Sequence, residues 1–214
     1  MYVPEHFRES RVEVMQELIR TRPLGTIVTL TANGLEANHI PFEIDPDPLP
    51  YGTLRGHVAK SNPVWQESSA AMEALVIFHG PDGYISPSWY PTKKETGKVV
   101  PTWNYVVVHA YGFLKPIEDK VWLRNFIEKL TDRHESNQGS SWKVGDAPAD
   151  FTEKMLEAII GIEIPISKLT GKWKVSQNRP AGDREGVICA LGDLDNDSAR
   201  EMVDVIHRYE DDNV

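Results

Sequence analysis

The sequence is short of several things, and each shortage removes a class of function. Its 214 residues hold one cysteine, Cys189. A single thiol cannot close an internal disulfide, which fits a chain kept in a reducing cytoplasm. No run approaches the ~18 consecutive apolar residues of a membrane helix. The opening MYVPEHFRESR is charged where a signal peptide would carry its apolar core. No G-x-G-x-x-G, Walker A or G-x-S-x-G pattern occurs, which removes Rossmann, P-loop and α/β-hydrolase readings. His39, His57, His79 and His109 lack H-E-x-x-H or any other close ligand spacing, so no metal centre is expected. Cations are scarce as well: 23 Lys and Arg against 32 Asp and Glu leave a formal net charge of -9. That balance opposes non-specific binding to nucleic acid or an anionic membrane, while leaving room for a local basic patch.

What remains is an ordinary soluble composition, 40% hydrophobic and 26% charged, at a length that suits one globular domain with an appendage. Phe7, Val12, Met15, Leu18 and Ile19 recur at helical spacing before Pro23. Strand patterns follow in LGTIVTL and LEANHIPFEI, joined by a hairpin signal at Asn33-Gly34. YGTLRGHV, EALVIFHG and GYISPSW add strands, with PDG at 81–83 read as a turn. Pro101 to Ile117 is the longest strand expected, and IGIEIPI is another. Helices are predicted over EDKVWLRNFIEKLTDRHE, over DFTEKMLEAI with Asp150 or Thr152 as cap, and through the tail from REGVICALGD onward. Cys189 reads as buried packing. About six strands with helices clustered outside them predict a mainly β fold, a barrel or rolled sheet, and not an alternating βαβ fold.

Two stretches gather charge that the composition does not lead one to expect. In LRGHVAKSNPVW, Arg55 and His57 share one strand face and Lys60 follows, with Asn62 placed as the cap of a helix that has Pro63 in its first turn. A helix N-terminus beside strand cations would seat a phosphate, and a polar strand edge before a capped surface helix accounts for the same residues. In KLTGKWKVSQNRPAGDR, five cations stand against Asp183 alone. Lys172, Lys174 and Ser176 fall on one face of an extended segment, as an anion site or as a solvated strand edge guarded by lysine. Trp103, Tyr105, Val107, His109 and Tyr111 share a face, which reads as barrel core. Trp89 and Tyr90 precede the charged run TKKETGK and could cover a planar ligand.

Taken together, MYVPEHF, GHVAKSNPVW, YISPSWY, VPTWNYVVVHAYG and KVSQNRPAGDREGVICAL resemble the PaiB-type family of FMN-binding negative transcriptional regulators, within the FMN-binding split-barrel superfamily. The resemblance implies one domain over residues 1–214, a six-stranded split β-barrel with a helical extension from about residue 180. It implies a cytoplasmic homodimer holding FMN near the subunit interface. Arg55, His57 and Lys60, with Lys172, Lys174 and Ser176, become candidates for the phosphate seat. Trp89, Trp103 and Asn104 become candidates beside the isoalloxazine, by stacking and by a hydrogen bond. No catalytic residue is assigned. A flavin oxidoreductase resembling pyridoxamine-phosphate oxidase and a haem-binding split barrel are the alternative readings. The acidic C-terminal segment and the absence of a clear helix-turn-helix argue against direct DNA reading, so regulation through a DNA or protein partner stays open.

Overall fold

Isoleucines dominate IIGIEIPI, which opens the 16-residue strand Ile159–Lys174. The computed structural model describes residues 1–67 and 72–211. In chain order the strands are β1 (Arg8–Glu9), β2 (Leu24–Thr31), β3 (Gly34–Pro41), β4 (Glu43–Asp45), β5 (Thr53–Ala59), β6 (Ala74–Ile85), β7 (Thr102–Gly112), β8 (Lys115–Ile117) and β9 (Ile159–Lys174). The helices are α1 (Val12–Thr21), α2 (Val64–Glu67), α3 (Thr92–Thr96), α4 (Lys120–Asn137), α5 (Ala149–Glu157), α6 (Ala181–Gly192) and α7 (Asp197–Asp211). The sheet therefore has nine strands, not six, in the order β3-β2-β6-β7-β9-β5-β4, with β1 and β8 also paired to β9. The additional strands β1, β4 and β8 are two or three residues long, too short to show an alternation in sequence.

Other expectations are corrected. The longest strand is β9, which joins IGIEIPI to the basic segment, whereas the predicted strand at 101–117 breaks after Gly112. PDG is not a turn but lies inside β6. Pro81 has no N–H to lose there, and the backbone N–H and C=O of Asp82 both bond the Ser198 hydroxyl (3.4 and 2.7 Å). Phe7 belongs to a 3₁₀ turn ahead of α1. Asp150 and Thr152 lie within α5 instead of capping it. Cys189 is exposed, because α6 buries the stripe Asp183, Val187 and Leu191 and leaves the thiol on another face.

The chain divides into two units, and α1, β6, β7 and β9 run through both. One comprises Ile19–Phe78 and Ala110–Leu169. Here β2 and β3 form the expected hairpin, closed at Thr31 opposite Gly34, and β4, β5 and β9 pair antiparallel with Leu54 opposite Ile164. Ile27, Phe42, Leu54, Phe78, Ile162 and Ile164 are fully buried in it. Asp119 caps α4, accepting from the N–H groups of Val121 and Trp122. The other unit comprises Met1–Leu18, His79–His109 and Thr170–Val214. Its core includes Ile85, Val106, Val108, Val175, Val187, Leu191 and Met202. Among the described residues no helix is long and apolar enough to cross a membrane.

Candidate functional site

Period-two alternation places Asn104, Val106, Val108 and Ala110 of β7 inward, each at most 2% exposed. Trp103, Tyr105, His109 and Tyr111 are on the opposite, partly open face, with Trp103 54% exposed. The aromatic row expected in the barrel core is thus the outward row: the small and β-branched residues of the strand fill the core more closely. Tyr84 extends the row, edge-on to Trp103 with ring centroids 6.0 Å apart.

The end of β9 brings cations to this row. Lys172, 8% exposed, has its Nζ 5.1 Å from the Tyr105 ring centroid and 5.8 Å from that of Tyr2, and donates to the Tyr2 carbonyl (3.3 Å). Lys174 Nζ donates to Thr102 Oγ1 and to the Trp103 carbonyl (2.7 Å). The Arg179 guanidinium lies 4.8 Å from the centroid of Tyr90. None of these three cations pairs with a carboxylate among the described residues. Burial first, then the charges of Lys172 and Arg179, hold the Lys174 ammonium below the ordinary lysine pKa. A cluster of this kind favours an anion that would relieve both effects.

The turn behind the cluster is built from buried hydrogen bonds. Ser176 adopts φ +66°, a left-handed conformation unusual for serine. It is held there by Asn104, whose Nδ2 donates to Ser176 Oγ (3.0 Å) while Oγ donates to Asn104 Oδ1 (3.3 Å). Gln177 bridges the strand end, accepting from Val175 N–H and donating to the Trp173 carbonyl. The chain then enters α6. There Asp183, 1% exposed, accepts from the Thr92 N–H (3.2 Å) and hydroxyl (2.8 Å). Gly186 lets the backbone of Trp89 approach so closely that a β-carbon would lie 2.1 Å from its carbonyl oxygen. So α6 anchors residues 89–92, with Trp89 part-exposed and Tyr90 buried. Burial raises the Tyr90 pKa, against the opposing charge of Arg179.

Of the residues singled out in the sequence, Trp103, Lys172 and Lys174 lie on this surface, Trp89 is in the segment anchored by α6, and Asn104 and Ser176 are a buried pair engaged with each other. Arg55, His57 and Lys60 belong to the other unit. Arg55 binds Asp45 through Nη1 (2.6 Å) and Glu163 through Nε (2.8 Å), so its charge is already matched by two carboxylates. His57 packs edge-on against Phe126, and burial lowers its pKa. Lys60 is exposed, and its backbone N–H bonds the Ala158 carbonyl. Asn62 does cap α2, accepting from Val64 N–H (3.0 Å), and its Nδ2 donates to Asn38 Oδ1 (2.9 Å). Sequence reasoning passed over Thr102, Tyr105 and Arg179. The last of these lay in the basic stretch, and its place over Tyr90 had no sequence signal.

A family model described as "Putative FMN-binding domain" matches residues 1–168. The chain is 36% identical over 241 residues to an uncharacterized protein of Emericella nidulans, covering 96% of each. It is 30% identical over 206 residues to "Protease synthase and sporulation protein PAI 2" of Bacillus subtilis, again covering 96% of each. Among solved structures, the FAD and heme binding protein from Mycobacterium smegmatis superposes with a TM-score of 0.57 at 17% identity, covering 85% of this chain and 79% of that one.

Proposed function

The chain belongs to the PaiB-type family of FMN-binding proteins, with FMN as cofactor, and from that premise we propose a regulator of transcription that works as an FMN-loaded homodimer without gripping DNA through its own surface. The observation that carries this reading is the convergence of Lys172, Lys174 and Arg179 beside the open aromatic row of β7. Their donor chemistry fits a phosphate: two ammonium groups and a guanidinium, with the Thr102 hydroxyl at hand and no carboxylate pairing them among the described residues. The exposed ring of Trp103 and the part-exposed ring of Trp89 fit a planar aromatic group at the other end of the cofactor. Bound FMN supplies a redox-active ring. The residues of the chain bind and orient it, and none is assigned a catalytic role.

The outward row of Tyr84, Trp103 and Tyr105 leaves apolar ring surface uncovered in one chain, which supports self-association across that face. With a net charge of -9, the molecule repels a polyanion, and its densest cation cluster is committed to the cofactor. Fluorescence anisotropy with operator-length duplexes tests the reading. The FMN-loaded protein shows no sequence-specific binding tighter than about micromolar at physiological salt, and weak binding by the flavin-free protein is reversed by FMN. Tight specific binding by the loaded form would refute it, as would light scattering that finds a monomer.

A further inference from the structure

Within the unit of Ile19–Phe78 and Ala110–Leu169, a cleft of about 200 Å³ opens between α4 and strands β4 and β5. Glu43, Asp45, Arg55, Trp122, Phe126 and Lys129 line it. Its aromatic wall is built, not incidental. Trp122 and Phe126 stack with centroids 5.1 Å apart and planes 11° from parallel, and Gly161 leaves room for the indole, since a β-carbon there would lie 2.4 Å from a Trp122 ring carbon.

Most charges in the cleft are accounted for. Asp45 takes Arg55 on one oxygen and the Asp47 N–H on the other (3.1 Å). Glu43 Oε2 takes Arg133 Nη1 at 2.6 Å, and the other terminal nitrogen of Arg133 donates to the Arg20 carbonyl. Glu43 Oε1 is different: it is buried and has no hydrogen-bond partner among the described residues. A buried carboxylate oxygen left without a donor is uncommon and calls for a partner that carries one. Two donor groups remain at the same cleft. Lys129 is exposed, with no carboxylate partner among the described residues. Arg55 spends Nε and Nη1 on carboxylates and leaves Nη2 out of both pairs.

One buried acceptor, cationic donors and an aromatic wall together match a zwitterion with an apolar body. We infer that this cleft binds a free α-amino acid with an apolar side chain, its ammonium on Glu43 Oε1, its carboxylate on Lys129 and Arg55 Nη2, and its side chain along Trp122 and Phe126. The volume suits a branched aliphatic chain or a single ring, since a cavity of ~150 Å³ already admits benzene. The inference uses none of the residues assigned to FMN and stands apart from that reading.

Calorimetric titration of the FMN-loaded protein tests it with L-leucine, L-phenylalanine, phenethylamine and 3-phenylpropionate. At least one of the two amino acids binds with a Kd below about 1 mM; phenethylamine, without the carboxylate, binds about tenfold more weakly, and 3-phenylpropionate, without the ammonium, does not bind measurably. Glu43→Gln lowers amino-acid affinity at least about tenfold, while Lys129→Ala lowers it several-fold and leaves phenethylamine unchanged. Should Glu43→Gln fail to fold, Asn125→Trp, at an exposed lip position of the cleft, abolishes binding with flavin content intact. No binding of either amino acid up to about 10 mM overturns the inference. So does 3-phenylpropionate binding as tightly as the amino acids, or parental affinity in a folded Glu43→Gln or Asn125→Trp variant.

Discussion

Replacing Lys174 by methionine keeps the stem of the side chain and removes only the ammonium. In the ligand-free protein that ammonium has two neutral acceptors, Thr102 Oγ1 and the Trp103 carbonyl, and is opposed by burial and by two neighbouring cations. Its removal therefore costs the free protein little, and the loss falls on the complex. A hydrogen bond to a charged group is worth ~1.5–3 kcal/mol, so the Kd for FMN rises about 10- to 150-fold. Phosphate also relieves the repulsion among Lys172, Lys174 and Arg179, which puts the lower end of that range as a floor. Riboflavin carries the same ring without the phosphate, and its affinity changes by less than about twofold. The seat is partly open to solvent, so the preference for FMN over riboflavin narrows as salt rises. Quenching of flavin fluorescence, titrated with both ligands at two salt concentrations, gives all four numbers. If Lys174→Met weakens riboflavin in proportion to FMN, or weakens neither, the phosphate is not on this cluster.

Further outcomes follow from the supporting contacts. Asn104→Ala strands the buried Ser176 hydroxyl and the left-handed turn it holds; unfolding in urea shows a loss of about 1–3 kcal/mol with an unchanged slope. Asp183→Ala frees Thr92, and limited trypsin digestion then cuts sooner at the exposed Lys93 and Lys94, while the same rate as the parent would show that α6 does not anchor this segment. His109 is held down to about 4 from 6.5, by burial first, then by the N-terminal charge and His79. The unfolded chain takes up a proton between those values that the folded chain refuses, so stability falls as pH drops through the window and is recovered as pH rises. Fully expressed, the difference is roughly 3 kcal/mol, and the half-open setting of the ring cuts it to about 1–2 kcal/mol. His109→Phe flattens the unfolding profile between about pH 6.5 and 4 by that amount, and an unchanged profile contradicts the assignment.

Every strand segment expected from the sequence falls in or overlaps one of the six long strands, with EALVIFHG and GYISPSW merged in β6, because each carries enough alternating or β-branched residues to register. The three short strands β1, β4 and β8 bring the sheet to nine. The helices α4, α6 and α7 were legible for the same reason, and the Asn62 cap was legible from local chemistry alone. What the pattern did not carry was the joining of segments. PDG looks like punctuation locally, yet it continues a strand because Ser198 satisfies Asp82 from afar, and the basic stretch, expected as an extended segment of its own, is continuous with IGIEIPI in β9. Partners distant in sequence decide such cases.

The site was legible only in part, for a related physical reason. Alternation says which residues of a strand share a face, and says nothing of which face meets the core. Along β7 the larger rings looked like the better filling, but Val106, Val108 and Ala110 pack inward and the rings stay open. Had the rings filled the core, Lys172 would have no aromatic face to lie on. The same limit applies to Arg55 and Lys174, which look alike in sequence as strand cations. Arg55 meets Asp45 and Glu163 across its neighbouring strands, whereas Lys174 meets a hydroxyl, a carbonyl, the Tyr105 ring and other cations, with no carboxylate among the described residues. That contrast, set by strand pairing and invisible in composition, is why the phosphate seat proposed above uses the end of β9.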